Sequence, residues 1–221
     1  MSAEKNLKIK ESLRETRERR SQMDCRVFCV KGQENHLSNA KKEKLIRCFF
    51  EAKWLYNAVL STEDLSIENL KTVQIKVGDT FETREIKTIS VQMKQSVIES
   101  VKTNIFNLSK AKKKGLKVGR LQFKKECNEI NLKQFGTTYK IKGKNKISVQ
   151  NIGVLVVNGL EQINIDEVEF ANAKLIQKPS GFYIHLTVYS KKQPQSETEK
   201  ETLGLDMGIK DQLTFSNGVK V

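Results

Sequence analysis

The sequence predicts an α+β chain: two amphipathic helices, then a run of short β-hairpins, then a last strand pair beyond a polar linker. Three observations predict it. Apolar residues recur every three or four positions across residues 45–59 and again across 93–108, which is the repeat of a helix face. After residue 138 the repeat falls to two, with glycine-containing turns between the runs. Residues 190–202 are charged and polar and mark a boundary before the final strands.

The chain has 221 residues, enough to bury a sizeable core. Its 40 Lys and Arg against 26 Asp and Glu give a formal charge of +14. The imbalance is concentrated: residues 102–146 hold fourteen Lys and Arg against Glu126 and Glu129, a net of +12. A polyanion partner follows, and nucleic acid fits better than a membrane surface. No apolar run approaches the roughly 20 residues of a membrane span, and no signal peptide is visible. Cys25, Cys29, Cys48 and Cys127 form no Cys-x-x-Cys pair, and two histidines do not complete a zinc site. The thiols therefore read as reduced packing residues of a cytosolic protein.

Residues 1–23 are dense in charge, and Leu7 and Ile9 give little amphipathicity, so they read as a frayed helix or a disordered basic arm. Residues 25–31 read as a strand. Ser38 is then a helix N-cap, and Leu45, Phe49, Ala52, Tyr56 and Val59 make one buried face. Residues 62–88 are polar and irregular, with a hairpin at Gly78-Asp79. The second helix runs from about Ser90 to Lys112, with Met93, Val97, Val101, Ile105 and Leu108 on its buried face. It opens into a basic stretch carrying Lys112, Lys113, Lys114, Lys117, Arg120, Lys124 and Lys125. Lysines of this kind neutralise phosphates without reading bases.

The remainder reads as strands. Tyr139–Lys142 and Lys146–Val149 form a hairpin, and Val154–Val157 is a short apolar strand. Glu167–Gln177 and Phe182–Tyr189 flank the turn Lys178-Pro179-Ser180-Gly181. Phe182, Ile184, Leu186 and Val188 point one way, and His185 sits on the outer face. Past the linker, Leu203 to Asp211 and Leu213 to Gly218 read as a hairpin presenting Asp206, whose carboxylate can hold a divalent cation. The same Asp-x-Gly pattern also serves as a plain turn.

Taken in order, these segments resemble TnpB proteins, the transposon-encoded RNA-guided nucleases related to type V CRISPR effectors. The resemblance rests on Trp54-Leu55-Tyr56-Asn57 at the end of the first helix and on Lys117-Val118-Gly119 followed by Phe123 among basic residues. The Gly181-Phe182-Tyr183 hairpin and the Asp206 strand complete it. The family often has a proline two residues before that phenylalanine, where this chain has Leu121.

The resemblance implies an oligonucleotide-binding-like β-barrel, the wedge, from residues 24–37 and 115–190, with a helical recognition insertion at 38–114. A linker at 191–202 would lead into the first hairpin of a truncated ribonuclease-H-like (RuvC) domain at 203–221. It implies guide RNA and target DNA as partners in a prokaryotic cytoplasm, near the nucleoid, with no membrane. Tyr56 and Gln92 would read DNA flanking the target, since a Gln can pair bidentately with adenine, although ordinary helix roles also suit both. The complete nuclease would use Mg2+ held by several carboxylates. Asp206 would be the first catalytic and metal ligand, but it stands fifteen residues from the last residue. No tightly bound cofactor and no cleavage are therefore expected of this chain alone, and a remainder encoded downstream would be a further partner. The alternative expectation is a standalone RNA- or DNA-binding module acting as a nuclease-less, RNA-guided transcriptional regulator.

Overall fold

The computed structural model describes residues 3–62 and 70–192 together with two short strands, Leu205–Asp206 and Thr214–Phe215. The chain divides into two compact units, Met1–Lys191 and Lys192–Val221, each described by itself.

The first unit is α+β: three helices and a nearly closed, barrel-like antiparallel sheet of seven strands. Helix α1 (Ala3–Ser21) leads into β1 (Met23–Gly32). Helix α2 (Asn39–Ser61) begins at Ser38, whose hydroxyl accepts from the Lys41 amide at 3.4 Å, the N-cap expected from sequence. A separate hairpin, β2 (Thr72–Val77) and β3 (Thr80–Glu85), turns at Gly78-Asp79. Helix α3 (Val91–Lys113) follows, capped by Ser90, which accepts from the Met93 amide at 3.3 Å.

Six further strands complete the sheet with β1. They are β4 (Glu129–Leu132), β5 (Tyr139–Ile141), β6 (Lys146–Val149), β7 (Gly153–Asn158), β8 (Val168–Lys178) and β9 (Gly181–Lys191). The spatial order is β4-β8-β9-β1-β7-β6-β5. Its two outermost strands, β4 and β5, are consecutive in the chain, so the connector 133–138 carries the backbone from one margin of the sheet to the other. A bulge in β8 between Phe170 and Ala173 helps bring the margins together. It leaves the Ala171 carbonyl out of the ladder, and the buried Tyr139 hydroxyl of β5 donates to it at 2.9 Å. Phe135, in the connector, stacks on Phe170 at 4.9 Å and meets Tyr139 edge-on at 5.3 Å.

One hydrophobic core joins helices and sheet. Leu45, Phe49, Ala52, Tyr56 and Val59 of α2 are all buried in it, the face read from sequence, as are Met93, Val97 and Val101 of α3. Of the two expectations for the N-terminal arm the structure has the helix, Ala3–Ser21, pinned where Arg19 and Arg20 converge on Glu169 of β8. Expectation and structure part at three places. Ile105 is exposed and Leu108 only half-buried, because α3 continues beyond the strand it packs on. Strand β4 had no sequence prediction. Of the thiols, Cys48 and Cys127 are buried packing residues, but Cys25 and Cys29 are exposed on β1.

In the second unit, β10 (Leu205–Asp206) pairs antiparallel with β11 (Thr214–Phe215), Asp206 opposite Thr214. The linker from residue 193, the glycine turn after Asp206, the Asp206 side chain and the final Asn-Gly turn lie outside the described residues.

Candidate nucleic-acid interface

Three lysines and a glycine end α3. Gly115 takes φ +77°, a left-handed conformation that costs glycine little. Its amide donates to the Lys112 carbonyl at 3.0 Å, and the Leu116 amide donates to the Ala111 carbonyl at 3.2 Å. This pair of bonds is a Schellman closure, which satisfies carbonyls that a helix end otherwise orphans. Lys110, Lys112 and Lys113 lie in the last turn, where the helix dipole favours cations. From here residues 116–128 run without helix or strand.

Asn57 of α2 fixes that irregular segment in place. Its side-chain oxygen accepts from the Lys124 amide at 2.8 Å, and its side-chain nitrogen donates to the Lys124 carbonyl at 3.0 Å. One amide side chain thus does for Lys124 what a neighbouring strand would. The Lys124 ammonium lies 4.3 Å from the Tyr56 ring centroid. Lys112, Lys113, Lys114, Lys117, Arg120 and Lys125 are exposed and Lys124 is half-buried. Among the described residues, none of these seven forms an ion pair with a carboxylate.

Beside them lies an open groove of about 650 Å³ bounded by α2, the β2–β3 hairpin and residues 123–125. Helix α2 contributes Trp54, Asn57, Ala58 and Ser61, at spacings of three, one and three, so one stripe of the helix faces it. The same stripe continues back through Phe50 and Arg47. The Phe50 and Trp54 rings stack at 6.3 Å, and the Arg47 guanidinium sits 4.8 Å over Trp54. Lys53 and Lys76 add charge, and Phe81 and Phe123 add exposed rings. Among the described residues no carboxylate lines the groove.

A buried carboxylate holds the helices that frame this face. Glu51 of α2 is fully buried. It accepts from the Thr88 amide at 2.8 Å, the Thr88 hydroxyl at 3.1 Å and the Ile89 amide at 3.1 Å, and pairs with Arg47 at 3.0 Å. It therefore ties the start of α3 to α2 and orients the arginine that stacks on Trp54. Burial also shifts two groups nearby. Burial, reinforced by Glu51, pushes the Cys48 thiol up to about 12, and burial lowers Lys94, whose ammonium donates to the Leu70 carbonyl at 2.7 Å.

The structure brings only some of the sequence-predicted residues together. Lys124 and Lys125 line the groove, whereas Lys112, Lys113 and Lys114 at the end of α3, and Lys117 and Arg120 beyond it, are not in its lining. Tyr56 is 3% exposed and belongs to the core, with its ring beneath Lys124. Gln92 is half-buried in the first turn of α3, roughly 30 Å along the helix from Lys112 at 1.5 Å per residue. The backbone of Asp206 is in β10. Among the described residues no three His, Cys, Asp or Glu side chains gather as a metal ion would require, and no helix is long and apolar enough to cross a membrane.

Sequence reasoning missed Lys53, Lys76 and Phe81, and named Trp54, Asn57 and Phe123 without a role. The spacing of Arg47, Phe50, Trp54, Asn57 and Ser61 was the available signal, a second stripe on α2 beside the core stripe. Compared by sequence with protein families and with curated proteins, the chain finds no match in either.

Proposed function

We propose that this chain binds nucleic acid chiefly through phosphate contacts along residues 110–125, and that it is the gripping portion of a TnpB-like, transposase-associated RNA-guided DNA endonuclease. In this reading guide RNA and target DNA are the partners, and the barrel-like sheet is the oligonucleotide-binding-like wedge. Residues 38–114 are the recognition insertion, and β10 and β11 open a RuvC-like domain in which Asp206 is a first magnesium ligand. The site of action is the prokaryotic cytoplasm, at the nucleoid.

The observation that carries the reading is that the cations from Lys112 to Lys125, all exposed except the half-buried Lys124, pair with no carboxylate among the described residues, on a backbone fixed by the α3 closure and by Asn57. Free cations on a fixed backbone release condensed counterions when they meet phosphate. Replacing Lys112, Lys113, Lys114, Lys117, Lys124 and Lys125 by glutamine should therefore make log affinity against log salt shallower. Loss of all six contacts would change the slope by about 5. An unchanged slope for a labelled oligonucleotide would remove this segment as the contact surface. For the nuclease relationship the test is incubation with guide RNA, matched DNA and magnesium. Cleavage that vanishes in Asp206→Ala would mean that the chain also holds the remaining acids, contrary to the expectation from sequence.

A further inference from the structure

Phe81 and Phe123 are 69% and 61% exposed, yet both line the groove beside Trp54. Among the described residues neither ring stacks on another ring or sits under a cation. Leaving two phenylalanine faces in water, in a chain with mean hydropathy −0.51, forgoes the stabilisation that burying them would give. Around them stand Lys53, Lys76, Lys124 and Lys125, with no acid in the lining among the described residues. Flat apolar faces interleaved with cations match one class of polymer, a chain of phosphates carrying aromatic bases.

We propose that this groove holds a short stretch of single-stranded polynucleotide, its unpaired bases stacked on Phe81 and Phe123 and its phosphates met by the four lysines. The proposal rests on the nucleic-acid reading above and deepens it. Duplex bases are already stacked on their neighbours and have no face to offer, so these rings favour unpaired bases. The space of about 650 Å³ falls within the roughly 300–1,000 Å³ of small-molecule sites, room for a base or two rather than for a helix. Asn57 already spends both polar atoms of its side chain on the Lys124 backbone, which leaves Gln74 and Ser61 as the other uncharged polar side chains of the lining. Stacking works for every base.

The chain's one tryptophan is Trp54, so intrinsic fluorescence reports directly on the groove. The protein is titrated with a labelled oligo-dT and oligo-U single strand, with a duplex of equal length, and with polyglutamate as an anion lacking bases. Both single strands should bind more tightly than the duplex and shift the Trp54 emission, and polyglutamate should leave it unmoved. Phe81→Ala and Phe123→Ala should each weaken single-strand binding about 5- to 150-fold, from 1–3 kcal/mol per stacked base, with the salt slope unchanged. Both rings are exposed, so both variants should keep the parent's unfolding midpoint. Salt-dependent binding with an unmoved Trp54 signal and neutral phenylalanine variants would overturn stacking while leaving the phosphate reading intact. An equal emission shift with polyglutamate would make this a general anion groove and also overturn it. Failure of every oligonucleotide to bind would sink both proposals.

Discussion

Helix α1 and residues 110–125 carry similar cationic loads, seven and eight Lys and Arg. Their surroundings differ. Helix α1 intersperses four glutamates among its cations, whereas residues 110–125 contain no acid. Lys8 pairs with Glu4 and Arg14 with Glu18, and Arg19 and Arg20 both reach Glu169. The pairs inside α1 are exposed, and such pairs are individually weak. They nevertheless cancel the field at short range, so α1 presents a mixed surface to a polyanion. In 110–125 the cations have no such counterweight, and their backbone is fixed by Gly115 at one end and Asn57 at the other. The contrast teaches that local cation density alone does not mark a polyanion site. Missing counter-charge and a fixed backbone separate the two regions.

Charge removal in equal numbers should separate them most. Lys112, Lys113, Lys114 and Lys117 changed to glutamine should lower oligonucleotide affinity by on the order of 100-fold at low salt, since each lost phosphate contact removes nearly one unit of salt slope. Lys5, Lys8, Lys10 and Arg14 changed likewise should cost less than about threefold. Fluorescence anisotropy across a salt series measures both. Equal losses would erase the distinction and leave net charge as the only determinant.

A smaller effect should follow from freeing the backbone without touching charge. Asn57→Ala removes the two bonds that hold Lys124, leaving its amide and carbonyl to find water. It should lower unfolding stability by about 1–3 kcal/mol in a urea titration. Affinity should fall roughly tenfold at most, because the cations remain but must be ordered on binding. If stability falls and affinity does not, fixation of the segment is irrelevant to binding.

The same contrast explains what was legible in the sequence. The core stripe of α2 was plain, because five apolar residues keep helical spacing. The stripe beside it was overlooked because Arg47, Phe50, Trp54, Asn57 and Ser61 share no single chemistry, although they keep the same spacing. Ile105 was placed in the core because the periodicity of α3 continues through it. That helix has 23 residues and β4 only four, so about 35 Å of helix outruns about 13 Å of strand. Strand β4 itself, Glu-Ile-Asn-Leu, has too few apolar residues to stand out. The clamp between Asn57 and Lys124 spans 67 residues and leaves no local trace. Nor does the attachment of α1, which has no apolar face and is held across 149 and 150 residues by Glu169.

That attachment gives the smallest expected effect and tests the paired half of the comparison. Hydrogen bonds from Arg19 and then Arg20 hold the Glu169 carboxyl below its usual range, against the opposing influence of burial. The docked state therefore favours the ionised carboxylate. Docking is strongest above the ordinary glutamate value, about 4.3, and weakens as pH falls through the lower docked value. Arg20 also lies 4.7 Å over the Tyr189 ring, so protonation should loosen the end of α1 rather than release it fully. A helix of 19 residues with no apolar stripe is marginal when undocked, so loosening should appear as faster amide exchange in α1 and a small loss of helical signal below about pH 4. Glu169→Gln should show the faster exchange already at neutral pH and lose this pH dependence. If the protection of α1 amides in the parent chain, corrected for intrinsic exchange, is the same at neutral pH and well below about pH 4, the pairs with Glu169 do not dock it. The neutralisation assigned to α1 would then come only from the exposed pairs within the helix, and the difference between the two basic regions would shrink accordingly.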